Sequence, residues 1–285
     1  MPTWTAEIAV DEPLARALVA PFGMTRLRLL SRGWDRTAWL ADDRWVFGFP
    51  RRAVVVPGLE RELEWLPRLA PQLPCAIPVP QFVGTPSDDF PWPFFGSAFI
   101  PGEEALGAEL DDRQRTAIGV ELAEFLRVLH SIDATGLPPD GNNRADMAHR
   151  APYTRDLLAQ LGRDAPPLLA EAERLPPPPE PVTVAHGDLH DRQVLVHDGR
   201  LSGVIDWVDL CRGDPSIDLI MLWSFVPPSG RGAFVDAYGA ADDAMLLRAR
   251  VLALMMGAVL ALYARDQDAQ LEAPALAMIE RALSD

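Results

Sequence analysis

Acidic residues concentrate in one stretch of the chain, HGDLHDRQVLVHDGRLSGVIDWVDLCRGDPSID, which runs from 186 to 218 and holds seven Asp in 33 residues. Asp188 stands five residues before the amide of Gln193 and 18 residues before Asp206, which lies in the apolar run GVIDW. Strands normally avoid Asp, because burying a carboxylate without a partner is costly. Side-chain oxygens at these positions instead favour chemistry at a metal-bound phosphate.

The spacing matches phosphoryl transfer in particular. In the kinase loop H-R-D-x-x-x-x-N, the Asp orients the attacking hydroxyl or accepts its proton, while the Asn and a later Asp hold Mg²⁺ on the phosphates. Here Asp188 takes the first role, and Gln193 and Asp206 take the metal-binding roles. Gln keeps the oxygen that Mg²⁺ prefers, but its extra methylene moves that oxygen. An amide that only pins the loop therefore stays a second interpretation of Gln193.

Short apolar runs broken by Gly, Pro and Asp fill the chain up to about residue 96, a pattern typical of an antiparallel sheet. The predicted strands lie in TRLRLLSRG, RTAWLADD, RWVFGFP, QFVG and FFGSAFI. One helix interrupts them, GLERELEWLPRLAPQL, which is expected to start near Leu59 and to be disturbed at Pro67.

Helical periodicity begins at Asp111, with five apolar side chains on one face: Ile118, Leu122, Phe125, Leu126 and Leu129. The proline run RLPPPPEP predicts an exposed connector, and QVLVHDGRLSGVIDW predicts two strands that turn at His197-Asp198-Gly199. Strands first and helices later indicate an α+β fold. We expect an N-terminal sheet lobe over residues 1–99 and a larger helical lobe over residues 100–285.

Composition limits the partners. The net charge of −15 would repel nucleic acid and anionic membrane surfaces, so neither is expected as a partner. Cys75 and Cys211 lack partners at metal-ligand spacing and are expected to be reduced thiols. The N-terminus carries no secretory pattern, and the longest apolar run, VLALMMGAVLALYA, is shorter than a membrane span and predicts a buried helix. A cytoplasmic location follows as an expectation, and the oligomeric state stays open.

Three motifs together, HGDLH at 186–190, GVIDW at 203–207 and GDPSIDL at 213–219, resemble those of the aminoglycoside phosphotransferase family. This family has a protein-kinase-like fold and includes macrolide, choline and homoserine kinases. The resemblance covers nearly the whole chain. It implies a two-lobed small-molecule kinase that uses ATP or GTP with Mg²⁺. The acceptor would be a hydroxyl of an aminoglycoside, a macrolide or another natural product.

The resemblance also implies roles for further residues. Asp188 would be the catalytic base, with Gln193 and Asp206 as metal ligands. Nucleotide contacts are expected from Gly33, Arg36, Glu62, Ser97 and Phe99. Substrate contacts are expected from His190, Asp191 and Asp209, although an imidazole that fills the loop and acids that only face solvent are alternative interpretations. Structural roles are expected for His186, Asp214 and Asp218.

One position departs from the family pattern. In WVFGFPRR the family carries a Lys or Arg where this chain has Gly48, and that cation normally pairs with the helix acid and touches the phosphates. Glu62 is therefore expected to lack its partner. An Arg from the turn SRGWDRTAW, Arg32 or Arg36, is a hypothetical replacement. If neither replaces the cation, the chain would be a catalytically impaired nucleotide-binding or regulatory protein.

Overall fold

The computed structural model describes residues 6–33, 35–180, 183–267 and 269–285. The chain forms two compact units. The first contains the described residues up to Gln72, together with Ala76–Ile100 and Asp206–Val208; the second contains Leu73–Cys75, Pro101–Ile205 and Asp209–Asp285. The expected division at residues 99 and 100 differs from this one mainly at Asp206–Val208. This short segment joins the first unit because Trp207 and Val208 bond to the helix that carries Glu62.

The first unit is built on a five-stranded antiparallel sheet with the order β1-β2-β3-β5-β4. Its strands are β1 (Leu27–Arg32), β2 (Arg36–Ala41), β3 (Trp45–Pro50), β4 (Pro80–Gly84) and β5 (Phe94–Ala98). All five coincide with the runs predicted from sequence. Aromatic side chains fill the core against this sheet, with Phe47, Phe49, Phe90 and Phe94 at most 2% exposed.

Two helices accompany this sheet, α1 (Glu12–Val19) and α2 (Val56–Leu69). Helix α2 is the helix predicted from sequence, but it begins three residues before Leu59. Pro57 fits the first turn, where its missing N–H costs no hydrogen bond. Pro67 lies inside the last turn without ending the helix at that residue. The buried face of α2 includes Glu62 among apolar side chains.

The second unit combines short strands with most of the helices. Its strands are β6 (Glu103–Glu104), β7 (Thr183–Ala185), β8 (Val194–His197), β9 (Arg200–Val204) and β10 (Cys211–Gly213). Strands β8 and β9 form the predicted hairpin, in which Asp198 and Gly199 both have positive φ, at 50° and 72°. Two successive left-handed residues give the turn whose twist matches that of paired strands.

The helices of the second unit are α3 (Asp112–Ser131), α4 (Met147–Gln160), α5 (Pro167–Ala172), α6 (Met221–Ser224), α7 (Arg231–Tyr238), α8 (Asp243–Gln267) and α9 (Glu272–Leu283). Helix α3 begins at a capping box formed by Asp111 and Gln114, and its five predicted apolar residues are fully buried. The mostly helical second unit and the antiparallel sheet of the first confirm the α+β fold.

Helix α8 contains the long apolar run. Its segment Asp243–Arg265 is long and apolar enough to cross a membrane by length and composition, with a mean hydropathy of 1.9. However, 56% of its most apolar window is buried within the protein, and the helix packs against α4, α6 and α9. It is therefore the central helix of the second unit, as predicted, although it extends further than the apolar run.

Candidate active site

The turn His186–Asp188 follows strand β7 and owes its shape to a glycine. Gly187 has φ of +89°, and a Cβ at this position would lie 2.3 Å from the carbonyl oxygen of Asp209. No side chain fits there without displacing backbone. His186 is fully buried, and its Nε2 lies 3.0 Å from the carbonyl oxygen of Ile205. Gly187 is thus fixed by close packing against Asp209, and His186 by its contact with Ile205.

The side chain of Asp218 binds the backbone of this turn. Its carboxylate accepts hydrogen bonds from the N–H groups of His186 and Gly187, at 2.8 and 3.0 Å. It also lies 3.1 Å from Nε2 of His130, whose Nδ1 lies 2.9 Å from the hydroxyl of Tyr238. Burial acts to raise the pKa of Asp218, but these hydrogen bonds and the neighbouring imidazoles more than offset burial, so its pKa is lowered. The turn is therefore bonded to an ionised carboxylate.

Asp188 lies at a cavity of about 250 Å³ within the second unit. Its side chain is 36% exposed, with Oδ2 3.9 Å from Nε2 of His190. Burial, aided by the charges of Arg192 and His186, lowers the pKa of His190 to about 3. The imidazole of His190 is therefore neutral at pH 7 and does not neutralise Asp188, whose carboxylate can accept a proton from a bound hydroxyl.

The cation expected at position 48 comes from the neighbouring strand instead. Arg36 of β2 donates a hydrogen bond from Nη2 to Oε2 of Glu62, forming an ion pair in which Glu62 is fully buried. A Cβ on Gly48 would lie 3.7 Å from Cδ and 3.9 Å from Nη1 of Arg36. The side chain of Arg36 thus fills the space beside Gly48. The expectation that Glu62 lacks a partner is wrong, because the cation reaches it from β2.

Electrostatics raise the pKa of both members of this pair. Burial lowers the pKa of Arg36, but the carboxylates of Glu62 and Asp206 more than offset it, so the pKa is raised. Burial raises the pKa of Glu62, and the charge and hydrogen bond of Arg36 oppose that rise. The other oxygen of Glu62 accepts a hydrogen bond from the backbone N–H of Trp207 at 3.1 Å. Glu62 thereby ties Arg36 to the segment that contains Asp206.

The predicted metal ligands each present an unsatisfied oxygen. Oε1 of Gln193 and Oδ1 of Asp206 are buried without a hydrogen-bond partner among the described residues. Asp206 has φ of +64°, in the left-handed region that few residues other than Gly adopt. Amide and carboxylate oxygens suit a hard cation such as Mg²⁺, which keeps part of its shell for phosphates and water. This donor chemistry fits Mg²⁺, although the described residues contain no cluster of three or more acidic, His or Cys ligands.

The other predicted nucleotide-binding residues lie in the first unit. The N–H of Gly33 donates to the carbonyl of Arg36 at 2.9 Å, so it closes the turn between β1 and β2. Ser97 is buried in β5, and the N–H of Phe99 donates to the carbonyl of Arg44 at 2.7 Å. The amide groups of Gly33 and Phe99 are therefore already used within the protein. Arg32 borders a separate small cavity of the first unit.

The acids expected to meet a substrate are engaged elsewhere. Asp191 is fully buried and accepts a hydrogen bond from the hydroxyl of Ser224 at 2.8 Å. Asp209 accepts one from Nη2 of Arg144 at 2.5 Å. Neither acid lines the cavity at Asp188, and nor does His190. In this structure Asp191 is thus buried against Ser224, and Asp209 is paired with Arg144, which itself lines the cavity.

Asp214 takes a local role. It is buried, and its side chain accepts a hydrogen bond from the N–H of Ser216 at 3.0 Å, capping the short helical turn that leads to Asp218.

Sequence reasoning missed the basic side of the cavity. Arg144 and Arg150 line it, and neither belongs to the acidic stretch that dominated the sequence. Asp140 and Arg144 stand four residues apart and form an ion pair at 2.5 Å. That spacing was the available signal, but a single i,i+4 pair does not distinguish a site from an ordinary surface.

Comparison with known proteins assigns the family. The model of the phosphotransferase enzyme family, APH, matches residues 26–253. This chain therefore belongs to the phosphotransferase enzyme family. An aminoglycoside 3'-phosphotransferase of Streptomyces fradiae is 32% identical over 169 residues, which are 56% of this chain and 60% of that relative. The match thus spans less than two thirds of the relative's length.

Solved structures share the fold over almost the full chain. The GDP complex of wild-type aminoglycoside 2'-phosphotransferase-IIIa superposes with a TM-score of 0.72 at 21% identity, covering 96% of this chain and 98% of that one. The macrolide 2'-phosphotransferase MphH of Brachybacterium faecium gives a TM-score of 0.61 at 25% identity, with 94% and 98% covered. Both similarities agree with the sheet and helices described above.

Proposed function

We propose that this chain transfers the γ-phosphoryl group of ATP or GTP to a hydroxyl of an antibiotic-like small molecule, such as an aminoglycoside, a macrolide or another natural product. The observation that carries this proposal is the position of Asp188, a part-exposed carboxylate at a cavity, on a turn bonded to a buried, ionised Asp218. The names of similar structures include GDP, ADP, ATP and kanamycin complexes, which supports the choice of donor and of acceptor class.

In this reaction Asp188 orients the acceptor hydroxyl and accepts its proton. The hydroxyl oxygen forms a bond to the γ-phosphorus, the bond from that phosphorus to the β,γ-bridging oxygen breaks, and the nucleoside diphosphate leaves with the bond's electrons. Because His190 is neutral, its imidazole places no positive charge beside Asp188. Most of the rate in such reactions comes from positioning and charge stabilisation.

The nucleotide contacts are proposed for residues of the first unit. Arg36 supplies the cation for the phosphates and Glu62 holds its guanidinium, while the chain from Ser97 to Phe99 contacts the base. Gln193 and Asp206 each offer an oxygen to Mg²⁺. When bound, Mg²⁺ would neutralise charge that develops on the phosphate oxygens. A cytoplasmic location belongs to the same proposal.

The alternative of a catalytically impaired, regulatory protein depended on a missing cation at position 48. Arg36 fills the space beside Gly48 and pairs with Glu62, so that reason no longer applies. We therefore retain the kinase.

The test is transfer of labelled γ-phosphate from ATP and from GTP, with Mg²⁺, to a panel of aminoglycosides, macrolides and other hydroxylated natural products. We expect transfer to at least one class and a product heavier by one phosphoryl group. Absence of transfer to every acceptor, together with measured Mg²⁺-dependent nucleotide binding, would contradict the proposal and favour a nucleotide sensor.

A further inference from the structure

One wall of the cavity at Asp188 is apolar. Leu252, Met255 and Met256 come from one face of helix α8, and Ile217, Ile220 and Leu189 complete this wall. Unbranched Met side chains adapt to irregular apolar partners. A ligand that fills this cavity must therefore place an apolar body against α8.

The cavity is also lined by two cationic side chains. Arg144 and Arg150 are both lining residues, and Asp188 is the one acidic residue that lines the cavity among those described. The charge of Arg144 is compensated, since its guanidinium bonds to Asp140 and Asp209, each at 2.5 Å. These two carboxylates are likewise occupied by Arg144.

The charge of Arg150 is compensated less directly, because Asp140 and Asp146 act on it only from beyond ion-pair distance. Its Nη2 donates to the carbonyl oxygen of Asn142 at 2.6 Å, but no carboxylate lies within ion-pair distance in the described parts of the chain. Its Nε is buried without a hydrogen-bond partner among those residues. Burial and the nearby charge of Arg144 lower the pKa of Arg150, so an added anion would be favoured at this guanidinium. Guanidinium groups bind carboxylates and phosphates through paired N–H donors.

From this arrangement we propose that the acceptor is an amphipathic hydroxylated molecule whose anionic group, a carboxylate or phosphate, binds Arg150 while its apolar body packs on helix α8. This inference rests on the proposed function and narrows its acceptor class. A polycationic acceptor is disfavoured, because Asp191 is buried against Ser224 and Asp209 is already paired with Arg144, an arginine that lines the cavity.

The test uses three probes that differ only in the group at C6, which is a carboxylate, a hydroxymethyl or an aminomethyl group: hexyl β-D-glucuronide, hexyl β-D-glucoside and hexyl 6-amino-6-deoxy-β-D-glucoside. Calorimetric titration into the full chain at pH 7.5 should give the tightest binding for the glucuronide, at least tenfold tighter than for the amine. Methyl β-D-glucuronide should bind at least tenfold more weakly than the hexyl compound, because it lacks the apolar body. These rankings need no variant and so do not depend on a variant folding.

Arg150→Gln should reduce glucuronide affinity at least fivefold and leave glucoside affinity within twofold. The matched control is Arg155→Gln on the same helix, whose side chain pairs with Glu173 outside the cavity and which should change neither affinity. The proposal is overturned by equal or tighter binding of the amine to the parent protein, by no measurable binding of the glucuronide, or by a glucuronide affinity in Arg150→Gln that stays within twofold of the parent.

Binding and transfer separate the two proposals. Calorimetry requires no turnover, so binding in the expected order without phosphoryl transfer to any hydroxyl would support this pocket and remove the proposed kinase. Transfer to a polycationic aminoglycoside, with the amine probe bound as tightly as the glucuronide, would support the kinase and overturn the anionic acceptor.

Discussion

At the scale of single residues, the ion pair of Arg36 and Glu62 replaces the one that family members form with a cation at position 48. The two residues are 26 positions apart and meet because β2 runs beside β3, with Ala38 opposite Gly48. Gly48 leaves the room that the Arg36 side chain occupies. A buried carboxylate such as Glu62 requires this cation, since an unpaired buried charge is strongly destabilising.

Variants of Arg36 and Glu62 can separate the contribution of Arg36 to stability from its proposed role in nucleotide binding. Arg36→Ala should lower the free energy of unfolding by about 3 kcal/mol, because Glu62 is left buried without its cation. Adding Glu62→Gln to this variant should recover most of that loss, whereas affinity for Mg²⁺-ATP should stay at least tenfold reduced in both variants. Urea unfolding and calorimetric titration measure the two quantities.

Two further variants control this experiment. Arg32→Ala, which changes an arginine at the other end of the same turn, should alter neither quantity. Gly48→Lys added to Arg36→Ala should restore part of the nucleotide affinity, since the vacated space lies directly beside position 48. Nucleotide affinity within twofold of the parent in Arg36→Ala would refute the role of Arg36.

At the scale of elements, the loop between β7 and β8 contains Asp188. Its conformation is fixed mainly by hydrogen bonds to buried polar groups. His186 and Asp218 fix its start through backbone hydrogen bonds, and the N–H of Gln193 donates to the carbonyl of His190 at 2.9 Å near its end. His190 itself is buried and neutral. The loop therefore depends on protonation states that acid would change.

Acid should weaken the fold through His190. Its pKa falls from an ordinary value of about 6.5 in the unfolded chain to about 3 in the folded protein. Between these values the unfolded state binds a proton that the folded state does not, so the stability that the neutral ring contributes is complete above pH 6.5 and declines as the pH falls towards 3.

The substitution His190→Gln should remove this dependence. Between pH 6 and pH 4, the free energy of unfolding of this variant should fall less steeply than that of the parent. The difference in slope should be up to about 1.4 kcal/mol per pH unit, which corresponds to one proton. Urea unfolding across this pH range measures both slopes. Identical slopes would show that His190 titrates normally in the folded protein.

At the scale of the whole molecule, the order of strands and helices was readable from sequence because local periodicity and turn residues determine it. All five strands of the first sheet, the β8–β9 hairpin and the buried face of α3 were predicted in this way. Arg36 was named only as one of two candidates for the missing cation, and its pairing with Glu62 was not predicted, because the sequence does not show which side chain of β2 lies beside Gly48. The basic side of the cavity was missed for a similar reason, since Arg144 and helix α8 are about 100 residues apart.

The central claim for the molecule is that Asp188 performs phosphoryl transfer as the base. Once an acceptor is known, the single-turnover rate with saturating Mg²⁺-ATP should fall at least hundredfold in Asp188→Asn, because the amide cannot accept the hydroxyl proton. Nucleotide affinity should stay within twofold of the parent. Asp198→Asn, in the exposed turn of the β8–β9 hairpin, is the matched control and should keep the full rate. A rate in Asp188→Asn within threefold of the parent would contradict the account.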